Sequence, residues 1–374
     1  MREPAPRPFE GLISDAKVRP KGRAEPHIFR ELPGLRALPW MPLVHAPTAV
    51  EPCDAIADWL GRDGVFMKRD DLASPLYGGN KVRRYEFVLA DLFAQGKKRI
   101  VTAGGIASTQ AMATSLFGHA LQLPVRIIHF GQPITRFARN AILTNVSAGA
   151  ELVWGGNYLT AIWRTWRSMS KESYLILPGA ANALANLGYI DAMLELGEQV
   201  ARGEMPKPDA IVLPTGSSGT LAALALGASW LGWDTEIIGV RIAPPYACNR
   251  FTIGAIVRHT DRFLARHDPK WTRRSHRVNY SLYGGALGPG YGYPTPEAIE
   301  AIPQLTRLTS EEGEVTYSGK ALAALRTLGQ SERWKNKTLL LWNTLSTPRP
   351  KIDPTAIERV PAPLRFVFER PCVA

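Results

Sequence analysis

Three scattered cysteines, Cys53, Cys248 and Cys372, are all that this 374-residue chain carries, and so few, in odd number, argue against a disulfide framework. No apolar run approaches the roughly 20 residues that a bilayer span requires. The start mixes Arg2, Glu3, Arg7, Glu10 and Asp15 with prolines and has no apolar signal core. A soluble, cytoplasmic protein with no membrane partner is the expectation. His27, His45, His119, His129, His259, His267 and His276 show no His-Glu-x-x-His or similar ligand spacing, so no metal site is expected. A Gly-x-Ser-x-Gly elbow is missing as well. Neither Pro214–Thr220 nor Gly313–Lys320 ends in the Gly-Lys-Ser/Thr of a nucleoside-triphosphate loop. Internal repeats and coiled-coil heptads are likewise missing.

What is plentiful is positive charge and apolar residues. The formal net charge is +12, and Arg273, Arg274, His276 and Arg277 beside Trp271 form the densest basic cluster. The other basic residues are spread along the chain without a nucleic-acid motif, so a solvated basic surface is expected and no nucleic-acid partner. Hydrophobic residues make up 45%, enough for a large core rather than global disorder.

From Pro33-Gly34 onward the pattern alternates. Strands are predicted at Val65–Lys68, Arg99–Thr102, Val125–Phe130, Glu151–Trp154, Tyr174–Leu177, Ala210–Leu213, Glu236–Ile242 and Leu339–Trp342. Helices are predicted at Arg83–Gln95, Gln110–Leu121, Phe137–Ala148, Gly188–Arg202, Thr220–Leu231, Pro296–Leu308 and Lys320–Leu328. Short Val/Ile/Leu-rich runs separated by helices predict an α/β fold with an open, mostly parallel sheet covered on both faces. Such sheets bind ligands at the carboxyl ends of their strands, which directs attention to the loops there.

Four loop groups stand out. Gly78-Gly79-Asn80-Lys81 sets a lysine at a glycine turn where an amphipathic helix begins; a buried lysine there loses its proton readily and can bond an aldehyde. Ala103–Gln110 places Ser108 and Thr109 at a helix start, which suits a carboxylate and equally a plain helix cap. Pro214–Thr220, small and hydroxylated before an alanine- and leucine-rich helix, suits a phosphate. The fourth group is rich in tyrosine: Gly288–Pro294, then Tyr317-Ser318-Gly319-Lys320. Asn343-Thr344 closes the last strong strand, where a hydroxyl can meet a ring nitrogen.

Taken in order, these segments resemble the fold-type II pyridoxal-phosphate enzymes, in the branch of D-cysteine desulfhydrase and 1-aminocyclopropane-1-carboxylate deaminase. The resemblance runs from about Pro42 to Thr344. It rests on Lys68-Arg69-Asp70-Asp71-Leu72, Gly78–Arg84, Val101–Gly105, Gly216–Thr220, Gly290-Tyr291-Gly292-x-Pro294 and Tyr317–Ala321. It implies pyridoxal 5'-phosphate held covalently by Lys81, with Asn80, Arg84, Thr109, Gly216, Ser217, Ser218, Gly219, Thr220 and Thr344 around the cofactor. Arg84 would reach the phosphate and Thr344 the pyridine nitrogen. Ser108, Thr109 and Gln110 would receive the substrate carboxylate, while Tyr291 and Tyr317 flank the reacting carbons.

The resemblance further implies an N-terminal extension (1–35), a large cofactor domain (36–83 and 193–374), a smaller inserted α/β domain (84–192) and a homodimer. The activity it implies is a lyase or deaminase on a small amino acid, first a D-cysteine-type elimination to a 2-oxoacid and ammonia. Deaminase-like ring opening, β-replacement, racemisation and a non-catalytic cofactor-binding role are the alternatives. The chain departs from the family pattern at Thr109, at Ser218, at Leu345-Ser346, and in a shorter segment without Asp-Pro before Tyr317.

Overall fold

The computed structural model describes residues 22–273 and 277–373. Arg274 and His276 of the basic cluster, and residues 1–21 of the expected extension, lie outside them.

Among the described residues ten strands form two sheets: β1 (Val50–Pro52), β2 (Val65–Lys68), β3 (Arg99–Gly105), β4 (Val125–Phe130), β5 (Glu151–Gly156), β6 (Ser173–Ile176), β7 (Ala210–Thr215), β8 (Glu236–Arg241), β9 (Tyr280–Tyr283) and β10 (Leu339–Trp342). The six-stranded sheet has the order β1-β2-β10-β7-β8-β9, and the four-stranded sheet the order β5-β4-β3-β6. Every pairing is parallel except that of β1 with β2. All eight predicted strands are present. The two that the pattern missed are edge strands: β1 is three residues long and ends in proline, and all four residues of β9 are only half-buried. Neither carries the apolar run that reveals an inner strand.

The seven predicted helices form with boundaries within a few residues. Gly188, predicted to begin a helix, instead lies inside one that starts at Ala183, capped by Asn182 accepting from the Ala185 amide at 2.7 Å. A Cβ on Gly188 would sit 2.0 Å from the Arg83 carbonyl oxygen, so the glycine lets this helix cross Val82–Ala94 closely. Among the described residues, two further helices of ten residues or more, Tyr158–Arg167 and Arg250–His267, lie outside the predicted set, as do four short ones of four or five residues. Residues 22–35 are packed rather than loose: Ile28, Phe29, Leu32 and Leu35 are buried, and the Ile28 amide donates to Asp191 at 3.0 Å. Among the described residues no helix is long and apolar enough to cross a membrane.

A buried ionic network ties the sheet to these helices. Lys68, at the end of β2, donates to Glu195 at 2.7 Å and to the Thr48 carbonyl at 2.6 Å. Arg83 bridges Asp70 and Glu195, both at 2.8 Å. Asp70 also accepts from the Tyr189 hydroxyl at 2.9 Å and from the Trp342 indole at 2.7 Å. Burial alone would raise the Glu195 carboxyl, yet Arg83 and Lys68 hold it well below the ordinary carboxylate range. Two cations and two carboxylates thus compensate one another out of water, which such groups require. The Lys68–Asp71 segment quoted for the resemblance is, in its Lys68 and Asp70, part of this scaffold.

Candidate active site

The Gly78-Gly79 turn is wedged between two distant pieces of backbone. A Cβ on Gly78 would lie 1.9 Å from the Asp71 carbonyl oxygen, and one on Gly79 would lie 2.4 Å from that of Thr344. Gly79 has φ +82, in the left-handed region that glycine tolerates. The Asn80 amide then donates to the Thr344 carbonyl at 3.1 Å. Lys81 emerges from this clamp as the residue before helix Val82–Ala94. Its amine makes no ion pair among the described residues; burial, helped by the nearby Arg84 charge, lowers its pKa to about 7.

Lys81 faces a cavity of about 690 Å³ between the two sheets, lined by the loops that follow β3, β4, β5, β6, β7 and β8. That is the carboxyl end of the parallel strands, where such folds bind ligands. Of the expected site residues, Asn80, Lys81, Ser108, Thr109, Gln110, Gly216, Ser217, Ser218, Thr220, Tyr291 and Tyr317 line it. Arg84, Gly219 and Thr344 do not. The Arg84 guanidinium lies behind the 216–220 loop, donating to Thr220 Oγ1 at 3.0 Å, Asn186 Oδ1 at 3.2 Å and the Ala180 carbonyl at 2.8 Å. It therefore supports the loop from behind rather than reaching into the cavity.

The 216–220 loop leads into helix Gly219–Trp230, whose first amides have no intrahelical partners. Ser218, the departure from the usual glycine, has φ +65, a conformation that costs a serine more than a glycine. Ser108 caps helix Thr109–Ala120, its Oγ accepting from the Ala111 amide at 3.2 Å. The plain cap is thus realised, on a loop that also borders the cavity. Gln110 is more fully committed: Nε2 donates to Thr102 Oγ1 and to the Leu177 carbonyl, each at 2.9 Å, and Oε1 accepts from the Gly179 amide. In this structure its side chain fastens the 177–179 turn rather than presenting unused groups to a ligand.

Tyr291 and Tyr317 share a hydrogen bond of 2.5 Å between their hydroxyls. Burial pushes Tyr291 up to about 12 and Tyr317 well above its ordinary value, so both hydroxyls keep their protons at neutral pH. The buried Glu314 carboxylate fixes Tyr317 by accepting from the backbone amides of Thr316 and Tyr317 at 2.6 Å and of Ser318 at 2.8 Å. Reading the sequence did not single out Glu314; its place three residues before the tyrosine at a helix start was the available signal. Phe130, Tyr158, Gly179, Ile242, Pro244 and Tyr246 also line the cavity without having been foreseen. They end or follow predicted strands; the Gly155-Gly156 pair before Tyr158 was the available signal there.

Comparison with known proteins agrees with this picture. The family model described as "Pyridoxal-phosphate dependent enzyme" matches residues 41–344. The D-cysteine desulfhydrase of Klebsiella pneumoniae (strain 342) is 30% identical over 321 residues, covering 83% of this chain and 94% of that protein. The crystal structure of an ACC deaminase homologue superposes with a TM-score of 0.72 at 24% identity, covering 88% of this chain and 97% of that one. A processed threonine deaminase isoform 2 from Solanum lycopersicum shares the fold at a TM-score of 0.56 and 16% identity, covering 92% and 90%.

Proposed function

Because this chain belongs to the pyridoxal-phosphate dependent enzyme family, we propose that it is a lyase working by β-elimination, releasing a 2-oxoacid and ammonia from an amino acid in the manner of D-cysteine desulfhydrase. The observation that carries the reading is the Lys81 amine, lowered to about 7 by burial, in one cavity with the Tyr291–Tyr317 hydroxyl pair. The residues fit the cofactor. One amine without an ion-pair partner suits its aldehyde, and the open amides at the start of helix Gly219–Trp230 suit its phosphate. Bound there, pyridoxal phosphate supplies an electron-accepting ring that acidifies the substrate Cα–H.

In this reading Lys81 Nζ would hold the cofactor covalently and, as a free amine, would take the Cα proton. The Ser217, Ser218 and Thr220 segment holds the phosphate, with Arg84 bracing Thr220. The amides of the Ser108–Thr109 helix start hold the substrate carboxylate. Tyr317 Oη would protonate the departing group, its proton then being replaced from solvent by way of the Tyr291 hydroxyl to which it is hydrogen-bonded. The segment 84–192, which contains the four-stranded sheet, acts as the smaller domain of a homodimeric enzyme.

The test is incubation of cofactor-loaded protein with D-cysteine, L-cysteine and 1-aminocyclopropane-1-carboxylate, assayed for oxoacid and ammonia. Oxoacid from none of them overturns the assignment. Tyr317→Phe is expected to keep the cofactor's visible spectrum and lose about 10²–10⁴-fold in kcat, the usual worth of a positioned acid; a loss under threefold removes Tyr317 from the chemistry.

The lowered lysine also sets a pH dependence. Below about 7 the amine is protonated and cannot attack an aldehyde. Covalent cofactor uptake by the apoprotein is expected to slow about tenfold per pH unit there and to level off at higher pH. Stopped-flow absorbance at several pH values measures it; a rate flat from pH 5 to 9 contradicts it. Between about 7 and the ordinary 10.5 the unfolded chain holds the extra proton, so cofactor-free stability gains from rising pH across that window.

A further inference from the structure

We propose that the substrate carries a bulky, uncharged, apolar substituent on its β-carbon sulfur, as an S-benzyl or S-aryl cysteine does, rather than a bare thiol. This rests on the elimination reading above. Among the described residues lining the cavity, Lys81 is the one charged side chain. No carboxylate lines the wall to meet a cationic substituent, and no second cation to meet an anionic one. A charged substituent would therefore gain no counter-charge from the wall and would give up part of its hydration to cover apolar rings. Arg241, next to the lining residue Ile242, turns its guanidinium toward Gly284, where an added Cβ would meet it at 3.3 Å.

Topology locates the room for such a substituent. Outward from β3 the second sheet continues to β4 and then β5, and outward from β7 the first continues to β8. With strands about 5 Å apart, the loops after β4 and β5 begin about 5–10 Å from the Ser108–Thr109 helix start. The ends of these outer strands and the segments just after them supply Phe130, Tyr158, Ile242, Pro244 and Tyr246 to the cavity. Phe130 and Tyr158 meet edge to face, centroids 5.4 Å apart at 86°. Tyr158 is 48% and Tyr246 77% exposed, so apolar ring surface is left to water at the mouth. A thiol is too short to cover it; a benzyl or aryl group removes that surface from water, which favours binding.

The chemistry balances without an added oxidant or reductant. The Cα–H and Cβ–S bonds break, and the Cα proton passes to Lys81. The sulfur leaves with the Cβ–S electron pair, taking a proton from Tyr317. One water then hydrolyses the remaining enamine, so that thiol, pyruvate and ammonium depart, and the proton gained by Lys81 makes good, through solvent, the one lost by Tyr317.

The cofactor-loaded enzyme is to be given cysteine, S-benzylcysteine, S-carboxymethylcysteine and S-(2-aminoethyl)cysteine, each as both enantiomers. Oxoacid release gives kcat/KM, and calorimetric titration of the Tyr317→Phe protein gives affinity. The benzyl compound is expected to exceed both charged ones at least tenfold in kcat/KM and in affinity, and cysteine in affinity. Tyr246→Arg, at an exposed position, is expected to narrow the benzyl-to-carboxymethyl ratio at least fivefold. Oxoacid from cysteine with no turnover or binding of the benzyl compound overturns this proposal and leaves the elimination standing. Oxoacid from none overturns the elimination, and the affinities still decide the substituent: equal binding of neutral and charged compounds sinks the proposal, and a tenfold benzyl preference sustains it.

Discussion

Lys81→Ala protein is expected to fold, to take up pyridoxal phosphate only reversibly, and to lose about 10⁴-fold or more in turnover, because one substitution removes both the covalent anchor and the base. Borohydride reduction followed by peptide mass analysis should label residue 81 in the parent protein and nothing in the variant. The contrast is informative because a second lysine is also lowered by burial. Lys320 falls to about 8, but its ammonium donates to the Leu287 carbonyl at 2.8 Å and it does not line the cavity. A label at residue 320, or an unchanged cofactor band in Lys81→Ala, would reassign the anchor.

The second large effect concerns stability. Glu195→Ala leaves Lys68 and Arg83 facing Asp70 alone, two cations against one carboxylate, all buried. Breaking a buried pair in this way costs about 3–5 kcal/mol, to be read from urea unfolding against the parent. Glu198→Ala, one turn further along the same helix, removes an exposed partner of Arg30 and is expected to cost less than about 1 kcal/mol. Equal costs for the two variants would show that the network contributes no net stability.

Much of this was readable in the residues themselves. The inner strands announced themselves because strands covered on both faces are apolar through most of their length, as Ala210–Pro214 and Leu339–Trp342 are. Glycine turns announced the loops because backbone cannot approach backbone as closely at other residues: Gly78 and Gly79 are forced by the Asp71 and Thr344 carbonyls. What stayed hidden depends on distant partners. That Gln110 fastens the 177–179 turn, that Arg84 stands behind the phosphate-type loop, and that Asp70 joins Trp342 are facts of tertiary placement. Helix Tyr158–Arg167 was legible too, in Leu159, Trp163 and Trp166 at i, i+4 and i+7; what the spacing could not tell is that this apolar stripe points to solvent.

β10 has a further implication for how the protein is made. Among the described residues it is the last strand in chain order, yet it lies between β2 and β7 and leads into the backbone on which the Gly78–Gly79 turn closes. While a ribosome is still translating the stretch between β9 and β10, the larger sheet has a gap at its middle and two unpaired inner edges. Growing chains are therefore inert until β10 has emerged, and sticky in the meantime. Chaperone capture of stalled or truncated products follows from the strand order alone.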